Sequence, residues 1–404
     1  MKPLDVVVIG GGPGGSVCAA ALARRGRRVL VLDKAHHPRF HLGESLLPLS
    51  MPVLDAIGVL DAARARFIVK RGACFHSEDG LRARYGFDES YAAERSGWAL
   101  QVPRDEFDEM LLRHAVTCGA DVREGWTVTR VRFDGGRAIG VDVRDESGSV
   151  HAIDAAFVVD ASGRDAMSGH ATQTTTRIPS LDKTALYTHW RGCWRDEGAR
   201  EGDIQIVLFA GGWFWFIPFK DGRTSVGAVV GSEWIRAADD RAPPALFARA
   251  VAESSVATRF LAGAEQLFEA RATADFSFRV RDTRGDGWIA VGDAGGFIDP
   301  LFSTGAHLAM HGGLLGAEAI DVALTAGDVS RGRFETWEQV MRRGTNLFLG
   351  MVQAFYAGRL QPYIFAEKQH PYLRRAITSM LAGDVYEDSR WARDLAARFP
   401  ARLD

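Results

Sequence analysis

The chain begins with the hydrophobic pattern of a βαβ unit. Residues 5–9 form a short apolar run that fits a buried parallel strand. A glycine-rich turn at 10–15 leads into a helical segment that continues to about Arg25. A second apolar run, 28–32, ends at Asp33. This order predicts two parallel strands joined by a crossover helix, which is the connection that parallel neighbours need.

In the middle of the chain the pattern changes to that of an antiparallel meander. Three apolar runs, 204–209, 213–219 and 223–230, are separated by Ala-Gly-Gly and Lys-Asp-Gly. Glycine turns between β-rich runs are typical of antiparallel strands. A strand at 288–292 and a helix from about residue 305 then return to the earlier style. We therefore expect a sheet-rich insertion within a nucleotide-binding domain.

The remaining segments complete an α/β prediction. A helix at 102–119 and a buried strand at 157–160 are expected, and from about residue 330 the pattern is helical. The fold class is α/β, with a Rossmann-like domain, an inserted antiparallel sheet and a helical C-terminal region. The expected domains are residues 1–185 together with 271–328 for the nucleotide-binding domain, 186–270 for the inserted sheet, and 329–404 for the helical region.

Composition narrows the classes of partner. Among the 404 residues, 47% are hydrophobic and 25% are charged, which are ordinary values for globular proteins. The formal net charge of −2 gives no electrostatic reason to expect a nucleic-acid partner. The four cysteines form no Cys-x-x-Cys pair, so we expect reduced thiols and no metal site. No apolar run approaches membrane-spanning length, and we predict a cytoplasmic protein without a membrane partner.

The glycine-rich turn has the spacing of a dinucleotide fingerprint. Gly10, Gly12 and Gly15 lie between the first strand and the helix, with Pro13 among them and Asp33 at the end of the second strand. The glycines allow a tight turn and a close approach of the backbone to a pyrophosphate, and the helix N-terminus attracts that anion. Asp33 can accept hydrogen bonds from a ribose. The fingerprint by itself does not distinguish NAD from FAD.

Two later motifs resemble the FAD monooxygenases of the para-hydroxybenzoate hydroxylase fold. They are Asp-Ala-Ser-Gly-Arg at 160–164 and Gly-Asp-Ala at 292–294, each after a predicted strand. The resemblance implies FAD as the cofactor, with Asp293 at the ribityl chain. It also matches Arg104 to the family arginine that contacts the cofactor, although a solvated arginine at a helix start is the simpler interpretation.

The segment Trp-Phe-Trp-Phe-Ile-Pro at 213–218 resembles the Trp-x-Trp-x-Ile-Pro hallmark of the flavin-dependent halogenases. Tryptophans at i and i+2 of a strand point to the same face. The resemblance implies that Trp213, Trp215 and Pro218 form a barrier between the flavin and the substrate. The simpler alternative is that they are core aromatics.

The segment 297–305 carries Phe-x-x-Pro-x-x-Ser-x-Gly, which the flavin halogenases share. It runs into a predicted helix, and amides at a helix N-terminus form a ready anion site. The resemblance assigns the halide to Ser303, Thr304 and Gly305, and flavin contacts to Pro300 and Gly305. The alternative is a loop that only cradles the flavin ring.

Lys70 lies downstream of Gly-Glu-Ser-Leu-Leu-Pro at 43–48, an order that resembles the halogenase catalytic lysine and its Gly-Glu-Ser segment. An amine can hydrogen-bond hypohalous acid or form a haloamine with it, and desolvation shifts a lysine towards its neutral form. A solvated surface lysine is the alternative, and the adjacent Arg71 is consistent with it.

Two further features narrow the expected substrate. Tryptophan halogenases carry a glutamate two residues before the Thr-Gly of the halide loop, whereas this chain has Phe302, as phenol and pyrrole halogenases have an aromatic residue. The segment 383–386, Gly-Asp-Val-Tyr, resembles the tail of pyrrole-type halogenases that act on carrier-bound substrates. The resemblance implies an electron-rich phenolic or pyrrolic ring, free or tethered to a carrier protein, in secondary-metabolite (antibiotic) biosynthesis.

The predicted activity is therefore that of an FAD-dependent halogenase. Hypohalous acid would form from reduced flavin, O2 and chloride or bromide, and would reach the substrate through Lys70. We expect a separate flavin reductase, because the sequence has no second nucleotide fingerprint. The alternatives are a single-component FAD-dependent aromatic hydroxylase, a reductase of isoprenoid double bonds, and an inactive flavin-binding pathway protein.

Overall fold

The computed structural model describes residues 4–274 and 277–402 of the chain. Within these residues the strands are, in chain order, β1 Leu4–Ile9, β2 Val29–Asp33, β3 Ile68–Lys70, β4 Gly72–His76, β5 Arg82–Gly86, β6 Ala99–Gln101, β7 Asp121–Glu124, β8 Thr127–Asp134, β9 Arg137–Arg144, β10 Val150–Asp160, β11 Thr175–Arg177, β12 Lys183–Arg191, β13 Ile204–Phe209, β14 Gly212–Pro218, β15 Arg223–Gly231, β16 Glu265–Gln266, β17 Arg271–Ala274, β18 Phe278–Val280, β19 Arg284–Gly285, β20 Trp288–Ala290 and β21 Gly296–Phe297.

The α-helices of the same residues alternate with the strands and then follow one another towards the C-terminus. They are α1 Pro13–Arg24, α2 Met51–Ile57, α3 Leu60–Arg66, α4 Arg104–Thr117, α5 Met167–Ala171, α6 Ser232–Arg236, α7 Pro243–Ala252, α8 Ser255–Phe260, α9 Thr304–Thr325, α10 Glu335–Tyr356, α11 Gln361–Ile364, α12 Pro371–Leu381 and α13 Arg390–Arg398. None of the helices in the described ranges combines the length and the apolar character needed to cross a membrane.

The first sheet is built around five parallel strands in the order β20, β10, β1, β2 and β7. Helix α1 connects β1 to β2 and packs against α4 and α9. Strand β2 is buried along its whole length, and this is why its sequence is apolar without alternation. The predicted βαβ unit is confirmed. The carboxyl ends of these strands meet at one edge, which brings Gly10, Asp33 and Asp293 together.

The second sheet has eight strands and contains the predicted meander, since β13, β14 and β15 are antiparallel neighbours. It is larger than the expected insertion at 186–270. Strand β4 pairs in parallel with β13, and β5 pairs with β4, so residues 72–86 belong to this sheet and not with the rest of 1–185. A parallel pairing between strands so far apart in the chain leaves no local signal in the sequence.

The C-terminal region is helical, as predicted, and covers one face of the second sheet. Helix α10 packs against α9. Its apolar residues join a core cluster that also contains Trp213, Trp215 and Phe302. The side of the sheet that carries the two tryptophans is therefore enclosed by helices.

Candidate active site

A cavity of about 600 Å³ lies between the carboxyl edge of the parallel sheet and the tryptophan face of the second sheet. Its volume is in the usual range for cofactor and ligand pockets. Most residues predicted from the sequence line it: Gly10, Gly12, Pro13, Asp33, Arg104, Trp213, Trp215, Asp293, Pro300, Ser303, Thr304 and Gly305. Gly15, Lys70 and Pro218 are not part of its lining.

The three fingerprint glycines have different roles. A Cβ on Gly10, whose φ is +99°, would lie 2.4 Å from the carbonyl oxygen of Ala161. A Cβ on Gly15 would lie 2.0 Å from the carbonyl oxygen of Gly10. Gly12 is different, because its Cβ would meet only the Arg39 guanidinium, at 3.7 Å. Gly10 and Gly15 thus allow the turn to pack, and Gly12 leaves space for a ligand.

Asp33 stabilises the same turn. One of its carboxylate oxygens accepts a hydrogen bond from the Gly11 amide at 2.7 Å, and the other accepts one from the Ala35 amide at 2.8 Å. The Arg39 guanidinium lies 3.8 Å away. Sequence reasoning assigned Asp33 to a ribose, and the carboxylate also fixes the backbone around Gly11. The lone pairs that remain are available at the cavity wall.

Arg104 is buried, which excludes the interpretation of a solvated surface arginine. Its guanidinium donates two hydrogen bonds to the Asp108 carboxylate, at 2.7 and 2.9 Å, and a third to the Leu42 carbonyl at 2.7 Å. Such a bidentate pair is geometrically specific. Arg104 therefore holds the segment around Leu42 against helix α4 while it lines the cavity.

Asp293 supplies a carboxyl group to the cavity wall. Burial raises its pKa to about 6, although the Arg104 and Arg164 guanidinium groups oppose that shift. A carboxyl group at this position can accept hydrogen bonds from the hydroxyls of a ribityl chain. Together with the space at Gly12 and the N-terminal amides of α1, it gives a wall whose chemistry fits FAD.

The aromatic end of the cavity is formed by strand β14. Trp213 and Trp215 are both buried, and their rings lie 6.1 Å apart at an angle of 52°. Ile217 is the third residue of this face, because side chains alternate along a strand. Pro218 lies on the opposite side of the strand, so the structure does not bring it to the barrier. The tryptophans are core residues and cavity residues at once.

Gly227 supports Trp215 from the neighbouring strand, a contact that sequence reasoning missed. The two residues are opposite each other in the β14–β15 pair, and a Cβ on Gly227 would lie 2.2 Å from the indole ring. The indole nitrogen of Trp215 donates a hydrogen bond to the Ser225 hydroxyl at 3.1 Å. The sequence did contain a signal for this contact, namely Gly227 itself. A glycine inside a strand often marks a place where another group approaches the backbone closely.

The predicted halide loop ends in the N-terminus of α9. Ser303 has a left-handed backbone, with φ of 57°, and helix α9 begins at Thr304. The first amides of a helix have no partner within the helix, and Thr304, Gly305 and Ala306 line the cavity. Gly305 has no left-handed conformation. A glycine is needed there because there is little room for a side chain: a Cβ would lie 3.2 Å from the Phe297 ring.

Lys70 is buried outside the cavity. Its ammonium group donates hydrogen bonds to the Ser45 hydroxyl at 2.9 Å and to the Leu46 carbonyl at 3.0 Å, and lies 5.2 Å from the centre of the Phe87 ring. Burial lowers its pKa from 10.5 to about 7, and Asp203 opposes the shift only in part. The side chain is not a solvated surface lysine. Ser45 lines the cavity, so it connects Lys70 to the cavity wall.

Two buried acidic residues at the site were missed by sequence reasoning. Glu44 lines the cavity and meets the His189 ring at 3.0 Å. Asp299, within the halide loop, accepts a hydrogen bond from the Tyr356 hydroxyl at 2.9 Å. An acidic residue between apolar neighbours was a signal for Asp299, but nothing in the sequence indicates its partner on α10.

Comparisons with known proteins agree with this geometry. The tryptophan halogenase family model matches residues 79–365, and an NAD(P)-binding Rossmann-like domain matches 8–44. The chain is 32% identical to the tryptophan 2-halogenase of Chondromyces crocatus, over 94% of this chain and 73% of that protein. It is 31% identical to the 1H-pyrrole-2-carbonyl-[peptidyl-carrier protein] chlorinase of Pseudomonas fluorescens, over 96% of this chain and 90% of that one.

A solved structure gives the same result. The myxobacterial chondrochloren halogenase, described as an FAD-dependent halogenase, superposes with a TM-score of 0.83 at 34% identity. The match covers 98% of this chain and 89% of that structure. The family resemblance inferred from the motifs is confirmed. The chain belongs to the tryptophan halogenase family and is a flavin-dependent halogenase that uses FAD.

Proposed function

We propose that this halogenase makes hypohalous acid at the FAD cavity and delivers it through Lys70 to an electron-rich phenolic or pyrrolic ring. The observation that carries the proposal is the position of Lys70. It is buried and lies outside the cavity, yet it is hydrogen-bonded to Ser45, which lines the cavity. An amine at that position is separated from the cofactor but not from the oxidant that leaves it.

When bound, reduced FAD supplies the electrons that activate O2 for capture by a halide. The proposed contribution of the chain begins with binding that halide. The first amides of α9 offer N–H donors and a partial positive charge next to the cavity. Trp213 and Trp215 then keep the organic substrate out of the flavin cavity, so that the oxidant reaches halide and not a ring. Two buried indole rings are large and rigid enough for that role.

Lys70 completes the proposed path. A pKa of about 7 means that a large fraction of the amine is neutral near neutral pH. The neutral amine can bind hypohalous acid by a hydrogen bond or form a haloamine, with loss of water from the acid and the amine proton. The nitrogen–halogen bond of the haloamine then breaks as chlorine or bromine is transferred to the ring, and the proton that the ring loses restores the amine; hydrogen-bonded hypohalous acid transfers its halogen with water as the other product. The Phe87 ring and the surrounding core keep bulk water away from this step.

The substrate class follows from what the halide loop lacks. Phe302 is buried in the loop, at the position where tryptophan halogenases carry a glutamate. An electron-rich ring needs less help in losing its proton, and the similarity to a pyrrolyl-carrier-protein chlorinase supports such a ring, free or carrier-bound. We further propose that a separate reductase supplies reduced FAD, and that the protein works in the cytoplasm. The free thiols of its four cysteines are consistent with that compartment.

The test is a reconstituted reaction with FAD, NADH, a flavin reductase, O2 and either chloride or bromide. Mass spectrometry follows a panel of phenols, free pyrroles and pyrrolyl groups on a carrier protein. We expect halogen isotope patterns on one class and no product from Lys70→Met. Lys220→Met, at an exposed lysine, is the matched control. Oxygenated product formed without halide and without the reductase would contradict the proposal and favour the hydroxylase.

A further inference from the structure

Three side chains from distant segments form one chain of hydrogen bonds, which begins at Trp213 in the cavity wall and continues behind it. The indole nitrogen of Trp213 and the hydroxyl of Tyr356 are 3.0 Å apart, and that hydroxyl is 2.9 Å from Oδ2 of Asp299. An indole N–H can only donate, so the tyrosine oxygen accepts from Trp213 and the tyrosine proton goes to Asp299. The first direction is fixed by chemistry, and in the second hydrogen bond the tyrosine hydroxyl donates to the Asp299 carboxylate.

Asp299 anchors the chain in the halide loop. It has no exposed surface, and its other oxygen, Oδ1, accepts a hydrogen bond from the Leu301 amide at 2.9 Å. Pro300 and Leu301, which follow it, line the cavity. Both oxygens of one carboxyl group are thus occupied, one by the backbone of the halide loop and the other by the tyrosine that reaches Trp213.

Tyr356 occupies the last position of helix α10, and its own surroundings hold it in place. The Lys183 ammonium lies 4.6 Å from the centre of its ring, which is a favourable cation–π distance. The Phe355 ring is 5.8 Å away at a right angle. These contacts fix the tyrosine ring and so the position of its hydroxyl. Within the described residues, that hydroxyl accepts the hydrogen bond of the Trp213 indole.

We propose that Asp299 and Tyr356 are positioning residues that fix the Trp213 indole and so couple the halide loop to the barrier between flavin and substrate. This inference rests on the barrier role given above to the tryptophans. It adds residues that carry no halogenase motif in the sequence, and it assigns them a specific effect. They act on how much oxidant reaches the substrate, and not on how fast reduced flavin is consumed.

The reason is geometric. Without the tyrosine hydroxyl, Trp213 keeps its packing against Trp215 but loses the contact that sets the rotation of its indole ring. A buried N–H left without an acceptor favours any rotation that reaches water or another acceptor. Such a rotation opens the wall that Trp213 forms, and oxidant is then lost to water. Coupling, defined as halogenated product per O2 consumed, falls as a result.

The experiment compares coupling in the parent and in Tyr356→Phe, which keeps the ring and removes only the hydroxyl. We expect O2 consumption within the parental range and a coupling that is lower by about fivefold, the factor that corresponds to about 1 kcal/mol for one lost hydrogen bond. Asp299→Asn is the second variant and should lower coupling too, because an amide offers one acceptor where two are needed. Tyr363→Phe is the matched control, since that hydroxyl meets Arg398 at the surface.

A double-mutant cycle separates positioning from general stability. If the chain acts through the indole N–H, Tyr356→Phe should add little in a Trp213→Phe background, whereas independent effects would multiply. Parental coupling in both Tyr356→Phe and Asp299→Asn, or full multiplication in the cycle, would overturn the inference while the parent still halogenates. A parent that forms no halogenated product would instead overturn the proposed function, and this inference with it.

Discussion

Replacing Lys70 by methionine should abolish halogenation and change how the stability of the protein depends on pH. Burial lowers the pKa of this lysine from 10.5 to about 7. At about 1.4 kcal/mol for each pKa unit, holding the protonated amine in the folded state costs about 5 kcal/mol. Methionine has nearly the same length and no charge, so it removes that cost.

Some or all of this gain is lost again. The Ser45 hydroxyl and the Leu46 carbonyl both accept hydrogen bonds from the amine. Leaving one such buried group without a partner costs about 1–3 kcal/mol, so the two groups together cost about 2–6 kcal/mol. We therefore expect Lys70→Met to change the free energy of unfolding at low pH by between about −1 and about +3 kcal/mol.

The dependence on pH is the sharpest part of this prediction. Below about pH 7 the amine is protonated in both the folded and the unfolded protein, so the parent carries the full cost. Between that pH and 10.5 the unfolded chain binds the proton more strongly, and the stability of the parent rises with pH. Relative to the parent, Lys70→Met should lose about 5 kcal/mol of stability over the same interval, and it should be the less stable protein where the amine is neutral in both states.

Urea unfolding of the two proteins, at intervals between about pH 6 and about pH 9, measures this difference directly. Other titrating groups are common to both proteins and cancel in the comparison. A difference that does not change with pH would show that Lys70 keeps an ordinary pKa in the folded protein. A neutral Lys70 amine that reacts with hypohalous acid would then be ruled out, whatever the variant does to activity.

Three further outcomes follow from the cavity walls. Trp215→Ala should lower the free energy of unfolding by about 3–5 kcal/mol, because it leaves a cavity where a buried ring was. Protein that still binds FAD should also show lower coupling; thermal melts and product assays measure the two effects. Gly227→Ala places a Cβ against the Trp215 indole and should destabilise by about 1–3 kcal/mol, so wild-type stability in urea would show that the ring moves freely. Gly305→Val crowds the Phe297 ring and should abolish halogenation, whereas Thr304→Ala should keep activity with a raised halide requirement, as halide titrations would show.

The parts of the fold that the sequence predicted are those with local patterns. The crossover unit β1–α1–β2 and the meander β13–β15 are both encoded by apolar runs with glycine turns beside them. The parallel pairing of β4 with β13 could not be predicted in this way, because it joins segments that are distant in the chain. This pairing moved residues 72–86 into the second sheet and changed the expected domain boundary.

The same distinction applies to the site. Motifs identified which side chains line the cavity, but their partners come from elsewhere in the chain. One error was avoidable, because the alternation that places Trp213 and Trp215 on one face of a strand also places Ile217 there and Pro218 on the other. The link from Trp213 to Tyr356 was not predictable, since a tyrosine at the end of a helix carries no sign of a partner in a distant strand.

The two halves of the site have different environments, and this difference bears on how a reactive oxidant is controlled. The wall of the FAD cavity carries ionisable groups, among them the Asp33, Glu44 and Asp293 carboxyl groups. Lys70 instead lies in an apolar region beside the Phe87 ring, and desolvation is the main cause of its low pKa. An amine in a water-filled cavity would be almost entirely an ammonium ion, which has no lone pair to react with hypohalous acid. Burial away from the cavity therefore makes the Lys70 amine chemically suited to react with hypohalous acid. The same burial lowers the stability of the folded protein while the amine is protonated, and this is the expected consequence of that reactivity.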